Sequence, residues 1–276
     1  MFKTVGSSVW AYDLEWVPDP DAGRRVYSLP EDMPDEEVIA EMWRQGGATE
    51  EDPRPYLKTI LCRIVSVAAV TREGSRDRGY KLELRTLPRD PSQTMPEADL
   101  IADFLTAIGR VKPQLVGYNS ANADLPILVQ RGIVNGVLAS AFCARPNKPW
   151  EGADYFAKFS ESHIDLKEII GGWGRGTPSL HELATASRVP GKMGTSGDDV
   201  VGLWSQGKIR EIVEYNEYDA LTTYLVWLRT AHFAGFFDDA QYAVEQERVR
   251  TLLADRIASG SRHLEAYRQK WDVLQG

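Results

Sequence analysis

Three acidic segments, spread over more than two hundred residues, restrict the folds that are open to this chain. They are Asp13–Glu15, Asn119–Asp124 and Tyr215–Asp219. Carboxylate oxygens are the ligands that hard divalent cations such as Mg²⁺ and Mn²⁺ prefer. Each segment lies in a local context that can aim its carboxylates at one point. We therefore expect a fold that brings a strand, the start of a helix and the middle of a helix together.

The first segment combines two carboxylates with a strand pattern. The apolar run Ser8–Glu15 predicts a strand that ends at the acids. Residues two apart on a strand point to the same face, so Asp13 and Glu15 project together. Two carboxylates that close repel one another unless a charge neutralises them, and a metal ion is the simplest source of that charge. The alternative for an isolated pair of this kind is a strand end that enters solvent.

The second segment lies between a predicted strand and a predicted helix. The strand covers Gln114–Tyr118, and the helix begins near residue 122 and ends near residue 134. Asp124 therefore falls in the first turn of the helix, where a carboxylate is also stabilised by the helix dipole without any ligand. Asn119 has a similar alternative as a simple turn residue.

The third segment lies on a long helix, predicted over Lys208–Thr230. Tyr215 and Asp219 are four residues apart and therefore share one face of it. The alternative is a solvated polar stripe, but the many apolar neighbours indicate that much of this helix is buried. A tyrosine hydroxyl one turn from a metal ligand is able to orient a water molecule.

The rest of the chain predicts an α/β fold with a mixed sheet, because early strands are followed by alternating helices and strands. The predicted elements are a helix at Asp35–Gln45 inside a proline-rich insertion at about 18–57, strands at Thr59–Thr71 and Tyr80–Thr86, a helix at Glu97–Ile108, a strand at His163–Leu166, helices at Ser179–Ala186 and Asp198–Ser205, and two helices after Asp238 that break at Gly260.

Composition limits the environment and the partners. The net charge of −8 argues against a general nucleic-acid coat and, for a nucleic-acid substrate, predicts a local basic lining only. No apolar run approaches the ~18–20 residues of a membrane span, so no membrane partner is expected. Cys62 and Cys143 fit no metal spacing, and a reducing cytoplasm is the expected location.

Taken in this order, the motifs resemble those of the DEDD-type 3′–5′ exonucleases of the tyrosine subgroup. More closely, the chain resembles the predicted exonucleases related to the proofreading domain of family B DNA polymerases. The likeness rests on Asp13–Glu15, Val116–Leu128, His163–Leu166, Pro190–Gly194 and Tyr215–Leu225. It implies an RNase H-like fold, with a mixed five-stranded sheet flanked by helices. The exonuclease domain would cover 1–236, including the insertion at about 18–57, and 237–276 would form a helical C-terminal extension.

The resemblance also implies roles for single residues. Asp13, Glu15 and Asp219 would hold one of two divalent cations, Mg²⁺ or Mn²⁺. Asp13 would also contact the second cation, and Asp124 would support it. Tyr215 would orient the attacking water. The two cations would clamp the attacking and leaving oxygens of a phosphodiester. The implied enzyme is a stand-alone exonuclease that releases nucleoside 5′-monophosphates from the 3′ end of single-stranded DNA or RNA.

Five residues are candidates for contacts with the substrate. Leu14, Tyr118 and Asn119 belong to the motifs or adjoin them. Trp16 stands where relatives more often carry a threonine, and it would either stack on a base or pack in the core. Lys192 lies in a glycine-flanked loop and would either bind a phosphate or extend into solvent.

An aromatic and basic stretch has two interpretations. Tyr155, Phe156, Lys158 and Phe159 would line a single-strand channel or form a packed aromatic patch. His163 is interpreted as a structural histidine. Two other functions stay open: hydrolysis of short oligonucleotides or dinucleotides, and nucleic-acid binding without catalysis. No motif in the sequence reports a preference for DNA or RNA, or an oligomeric state.

Overall fold

The computed structural model is built around one mixed β-sheet. Its strands are β1 (Ser8–Pro18), β2 (Cys62–Ser75), β3 (Gly79–Leu87), β4 (Gln114–Gly117) and β5 (His163–Asp165). They lie in the order β3-β2-β1-β4-β5. β2 runs antiparallel to both β1 and β3, while β4 is parallel to β1 and β5 is parallel to β4. This arrangement confirms the expected mixed five-stranded sheet.

The structure describes residues 1–75, 77, 79–148, 151–157, 160–171, 176–194 and 197–276. Helices in these residues are α1 (Pro20–Tyr27), α2 (Asp35–Gln45), α3 (Glu97–Val111), α4 (Asp124–Val134), α5 (Ser140–Cys143), α6 (Leu166–Gly171), α7 (Leu180–Ala186), α8 (Gly197–Ser205), α9 (Ile209–Phe233), α10 (Asp239–Ala258) and α11 (His263–Gln275). None of these helices is long and apolar enough to cross a membrane.

The alternation of side chains along β1 divides the core into two layers. Val9 and Ala11 pack in a cluster that includes the apolar face of α9. Trp10, Tyr12 and Leu14 point the other way, into a cluster that includes α2, α3 and α4. Because the side chains of a strand alternate, the odd-numbered positions of β1 face α9, and this places Asp13 and Glu15 on that side.

Most predicted elements lie within four residues of the observed ones, and two departures have clear causes. β1 continues to Pro18, so Asp13 and Glu15 lie inside the strand and not at its end. The extension occurs because the antiparallel partner β2 keeps pairing beyond Glu15, past a register shift between Glu15 and Trp16. The predicted strand at Thr59–Thr71 begins only at Cys62, since residues 59–61 form a 3₁₀ turn.

The insertion at about 18–57 contains two helices where the sequence predicts one. α1 was missed because it combines a proline and a glycine, yet Pro20 occupies the first turn, where a missing N–H costs nothing. Asp19 caps it by accepting the backbone N–H of Asp21 at 3.2 Å. Gly23 lets α1 approach α2 closely, because a Cβ there would lie 2.5 Å from the sulfur of Met42.

A buried ionic network holds both ends of the insertion on the sheet layer. Arg131 of α4 contacts Asp19 and Glu97, each at 2.6 Å. It also donates to the backbone carbonyl of Ile60 at 3.2 Å. The start of the insertion, the segment that follows it, α3 and α4 are thereby joined at one guanidinium group.

The two C-terminal helices belong to the main core. Their buried side chains, which lie in the same cluster as the sheet residues that face α9, are Val249, Leu252, Leu253, Leu264, Tyr267 and Trp271. Glu217 of α9 fixes them further, because it accepts hydrogen bonds from Arg256 at 3.0 Å and from His263 at 2.6 Å. Helices α10 and α11 therefore buttress the helix that carries Tyr215 and Asp219.

Candidate active site

Three carboxylates meet where β1 passes beneath α9. One oxygen each from Asp13, Glu15 and Asp219 lies within 4.8 Å of the other two. Glu15 is buried, whereas Asp13 and Asp219 are partly exposed. A set of oxygen ligands this close together suits a hard divalent cation. The sequence placed the two strand acids together by their spacing, and the packing of α9 on β1 adds the third.

Tyr215 lies one turn before Asp219 on the same face of α9. Its hydroxyl donates a hydrogen bond to the Asp219 carboxylate, and its ring packs in a small apolar cluster with Val17 of β1 and Val200 of α8. Glu217, the other acid in this stretch, points away toward Arg256. The helix therefore presents one acid and one phenol to the site.

Asp124 lies close enough to Asp13 and Glu15 for its charge to raise the pKa of both carboxyl groups. β4 pairs in parallel with Val9–Ala11 and ends at Gly117, so the chain leaves the sheet at the level of Asp13. Asp124, the first residue of α4, is buried and accepts hydrogen bonds from its own backbone N–H and from that of Leu14. Its Oδ1 atom is buried and has no hydrogen-bond partner among the residues that the structure describes.

The four acids repel one another, and ion pairs within the described part of the chain do not relieve this repulsion. Among the described residues, no lysine or arginine forms an ion pair with Asp13, Glu15, Asp124 or Asp219. Burial, followed by repulsion from the neighbouring carboxylates, holds the pKa values of Asp13 and Glu15 well above their usual range. Burial raises the pKa of Asp124 to about 7 and that of Asp219 to about 6, although Lys192 and the Tyr215 hydroxyl lower the latter.

These observations show that the residues present fit divalent cations. Clustered carboxylates with raised pKa values, and one buried oxygen with no partner, are the features that a bound cation would satisfy. Asp13, Glu15 and Asp219 are the set that could hold one cation. Asp13 and Asp124 are the pair that could support another.

Asp165, which the sequence suggests as a support of the sheet edge near the site, shapes the loop that leads to Asp124. It accepts the backbone N–H groups of Asn119 at 2.8 Å, Ala121 at 2.9 Å and Lys167 at 2.9 Å. Asn119 adopts a left-handed conformation with φ of 65°, and its side chain accepts from Lys167 Nζ at 3.2 Å. The sequence signal for this role was the acid at the end of the short strand His163–Asp165, since the tight Asn119–Asp124 loop needs acceptors for its N–H groups.

His163 is a structural residue, in agreement with its interpretation from the sequence. It is within hydrogen-bond distance of Ser120 Oγ at 2.9 Å and of the Tyr12 hydroxyl at 3.4 Å. Burial lowers the pKa of His163 to about 4, so the ring is neutral near pH 7. It supports the Asn119–Asp124 loop from the β5 side.

The five candidates for substrate contacts differ in their exposure. Leu14 is buried in the core on the α3 side, and Trp16 is half-buried against the same layer. Tyr118 is half-buried and donates its hydroxyl to the carbonyl of Pro178. Asn119 lies in the loop before Asp124. Lys192 is exposed, and its positive charge lowers the pKa of Asp219.

The aromatic stretch after α5 is only partly described. Tyr155 is buried, donates to the carbonyl of Pro113 at 2.8 Å and stacks on Phe142, so it packs beneath the loop. Phe156 is 37% exposed beside them. Lys158 and Phe159 lie outside the described residues.

The mixed five-stranded sheet thus carries three clustered carboxylates on β1 and α9, with the buried Asp124 of α4 close to them. Residues 54–271 match the family model described as a predicted 3′–5′ exonuclease related to the exonuclease domain of PolB. The chain therefore belongs to this family, and the expected enzyme class, a 3′–5′ exonuclease, is confirmed. The match begins after Asp13 and Glu15, and α9 lies wholly within it.

Among solved structures, the chain is similar to the family B DNA polymerase from the hyperthermophilic archaeon Pyrobaculum calidifontis. The sequence identity is 17% and the TM-score is 0.49, over 81% of this chain and 24% of that chain. The chain thus spans about a quarter of that polymerase. No curated protein matches the sequence.

Proposed function

We propose that this protein is a metal-dependent exonuclease that releases nucleoside 5′-monophosphates from single-stranded nucleic acid in the 3′–5′ direction. The observation that carries the proposal is the trio of Asp13, Glu15 and Asp219, one oxygen of each lying within 4.8 Å of the other two. Two divalent cations, Mg²⁺ or Mn²⁺, would stabilise charge on the attacking and leaving oxygens of the phosphodiester.

Different side chains would hold the two cations and orient the water. Asp13, Glu15 and Asp219 would hold one cation, and Asp13 with Asp124 would hold the other. Burial and the neighbouring carboxylates raise the pKa of Tyr215, so its hydroxyl keeps its proton at neutral pH. Tyr215 therefore acts as a hydrogen-bond donor that orients water, and not as a base.

We propose that the exonuclease domain covers residues 1–236, with the insertion at about 18–57, and that residues 237–276 are its helical extension. The buried contacts of Glu217 with Arg256 and His263 support a role for this extension in fixing α9. The extension would then stabilise the acidic cluster by holding α9 in place, and it would take no part in the chemistry.

The proposal is tested by digestion of end-labelled single-stranded DNA and RNA in Mg²⁺ or Mn²⁺. The wild type should shorten the substrate stepwise from its 3′ end, and Asp13→Ala should lose at least about 100-fold in rate, because it removes a ligand of both cations. Equal activity in the two proteins would point to a contaminating nuclease and would contradict the proposal.

A series of substrate lengths separates the main proposal from hydrolysis of short oligonucleotides. A polymer exonuclease should act on a 30-nucleotide strand at least as fast as on a dinucleotide. Activity that is confined to two or three nucleotides would favour the short-substrate hydrolase. Cation-independent binding of a strand without any cleavage would favour a binding module.

A further inference from the structure

The last residues of the insertion form an exposed strip with a repeating pattern, here called the Arg54–Lys58 segment. Arg54, Tyr56 and Lys58 are exposed, and Tyr56 retains 68% of its accessible surface. Leu57, between the last two, is buried in the core on the α3 side. Two cations and the aromatic ring between them in sequence are thus all exposed to solvent.

The segment is fixed to the helix that begins with Asp124. Directly after it, Thr59 Oγ1 donates to Gln130 of α4 at 2.8 Å, and the Ile60 carbonyl accepts from Arg131 at 3.2 Å. Partial burial, and then the charges of Cys62 and Asp124, raise the pKa of the Tyr56 hydroxyl. Tyr56 is therefore within electrostatic reach of Asp124.

A groove joins the segment to the strand that carries the acids. Trp16, Trp43 and Arg54 are among the residues that line it, and its volume is about 340 Å³. The Arg54 guanidinium lies 5.3 Å from the centre of the Trp43 ring. The groove therefore connects Arg54 with β1 at Trp16, the residue that follows Glu15 in the strand.

The two cations of the segment are not neutralised. In the part of the chain that the structure describes, neither Arg54 nor Lys58 has an acidic partner within ion-pair distance, whereas the protein as a whole carries a net charge of −8. Exposed aromatic rings between basic residues are the usual platform for single-stranded nucleic acid, since bases stack on the rings and phosphates contact the cations.

We propose that the Arg54–Lys58 segment binds the single strand next to the scissile nucleotide, with a base stacked on Tyr56 and backbone phosphates on Arg54 and Lys58. This inference rests on the proposed exonuclease function. It assigns to the insertion the local basic lining that the acidic composition requires, and it makes Tyr56 a residue that distinguishes a polymer from a mononucleotide ester.

The first test compares Tyr56→Ala with Tyr56→Phe on two substrates. One is a single-stranded 12-mer, and the other is the p-nitrophenyl ester of thymidine 5′-monophosphate, which is too small to reach the segment. In Tyr56→Ala, the ratio of kcat/KM on the 12-mer to kcat/KM on the ester should fall about tenfold, as expected for a lost stacking contact. Tyr56→Phe should retain the ratio, because the ring and not the hydroxyl makes the contact.

The second test uses the salt dependence of kcat/KM on the 12-mer. Each phosphate contact to a single strand contributes about 0.7 to the slope of log affinity against log salt. The double variant Arg54→Ala/Lys58→Ala should therefore reduce the slope by about 1.4. The control is Arg110→Ala/Lys112→Ala, which removes two exposed cations that precede β4, at the end of the sheet opposite the acids.

The outcomes separate this inference from the function on which it rests. A wild-type protein that cleaves neither substrate would overturn the proposed exonuclease itself. A wild-type protein that cleaves both, with an unchanged ratio in Tyr56→Ala or with equal slopes in the two double variants, would overturn the role of the segment alone.

Discussion

The Tyr215 hydroxyl donates a hydrogen bond to Asp219, one turn further along α9, and this links the proposed water-orienting group to a proposed metal ligand. Tyr215 is itself held by apolar contacts with Val17 and Val65 of the sheet. The phenol therefore has a fixed position beside the carboxylates even before a substrate binds, which is the kind of preorganisation that catalysis uses.

The first prediction is that Tyr215→Phe lowers kcat by about 100-fold and leaves cation binding nearly intact. Phenylalanine keeps the apolar contacts of the ring, and only the oriented hydroxyl is lost, for which a loss of this size is typical. The measurements are kcat on a single-stranded oligonucleotide and Mn²⁺ affinity by calorimetry. An unchanged kcat would remove Tyr215 from the mechanism.

The second prediction concerns pH and metal removal. In the metal-free protein the pKa values of Asp124 and Asp219 are raised to about 7 and about 6. The folded state therefore keeps protons that the unfolded state releases above about pH 4, so the stability of the metal-free protein falls as pH rises from about 4 to 7. Cations replace those protons, and stabilisation by Mn²⁺ should grow from pH 5 to pH 8.

Thermal unfolding in EDTA and in Mn²⁺ tests this dependence. At a Mn²⁺ concentration about 100 times Kd, bound Mn²⁺ should raise the free energy of unfolding by about 2.7 kcal/mol, which corresponds to roughly 5–10 °C in Tm. Asp219→Asn should raise Tm in EDTA at pH 8 and abolish the gain from Mn²⁺. Asp32→Asn, at an exposed position in the insertion, is the matched control and should change neither value. A gain that is independent of pH would contradict the assignment of these acids as the ligands.

Local patterns were sufficient to predict most of the fold and to select the acids. Asp13 and Glu15 follow the two-residue period of a strand, and Tyr215 and Asp219 follow the turn of a helix, so each pair was placed by its own neighbourhood. The capping box of Ser179 and Glu182 was likewise local, and both of its hydrogen bonds are present.

Features that depend on distant partners could not be predicted. The end of β1 is decided by its pairing with β2 beyond Glu15, which no local pattern of residues 8–18 reports. Helix α1 depends on the close approach of Gly23 to Met42. The proximity of Tyr56 to Asp124 follows from the anchoring of the insertion on α4, far along the chain, and the sequence alone showed only a proline-rich loop.

The third prediction is that His163 makes the protein sensitive to acid. Burial lowers the pKa of His163 to about 4, against an ordinary value of about 6.5. Between about pH 4 and pH 6.5, His163 is protonated in the unfolded state and neutral in the folded state. The contribution of His163 to stability is therefore complete above about pH 6.5 and declines as pH falls toward 4, by roughly 3 kcal/mol in total.

Urea unfolding of wild type and His163→Gln at pH 7.5, 5.5 and 4.5 measures this contribution. The acidic cluster changes stability with pH in the opposite direction, so the informative quantity is the difference between the two proteins at each pH. The stability advantage of the wild type should shrink as pH falls. His181→Gln, which alters a partly exposed histidine, serves as the control. A constant difference across the three pH values would show that His163 does not titrate in this range.

The fourth prediction concerns the buried network that anchors the insertion. Arg131 contacts Asp19 and Glu97 at 2.6 Å each, and all three side chains are more than 90% buried. Arg131→Met should cost about 3–5 kcal/mol in the free energy of unfolding, because two buried carboxylates lose their shared cation. Arg44→Met breaks the pair with Glu41 on the surface of α2, where Arg44 is 69% exposed, and should cost less than about 1 kcal/mol.

Similar losses of stability in the two variants would mean that the network is not what holds the insertion to α4. If instead the large loss occurs and is accompanied by faster proteolysis within residues 18–57, then Arg131 connects the insertion, and with it the Arg54–Lys58 segment, to the helix that carries Asp124.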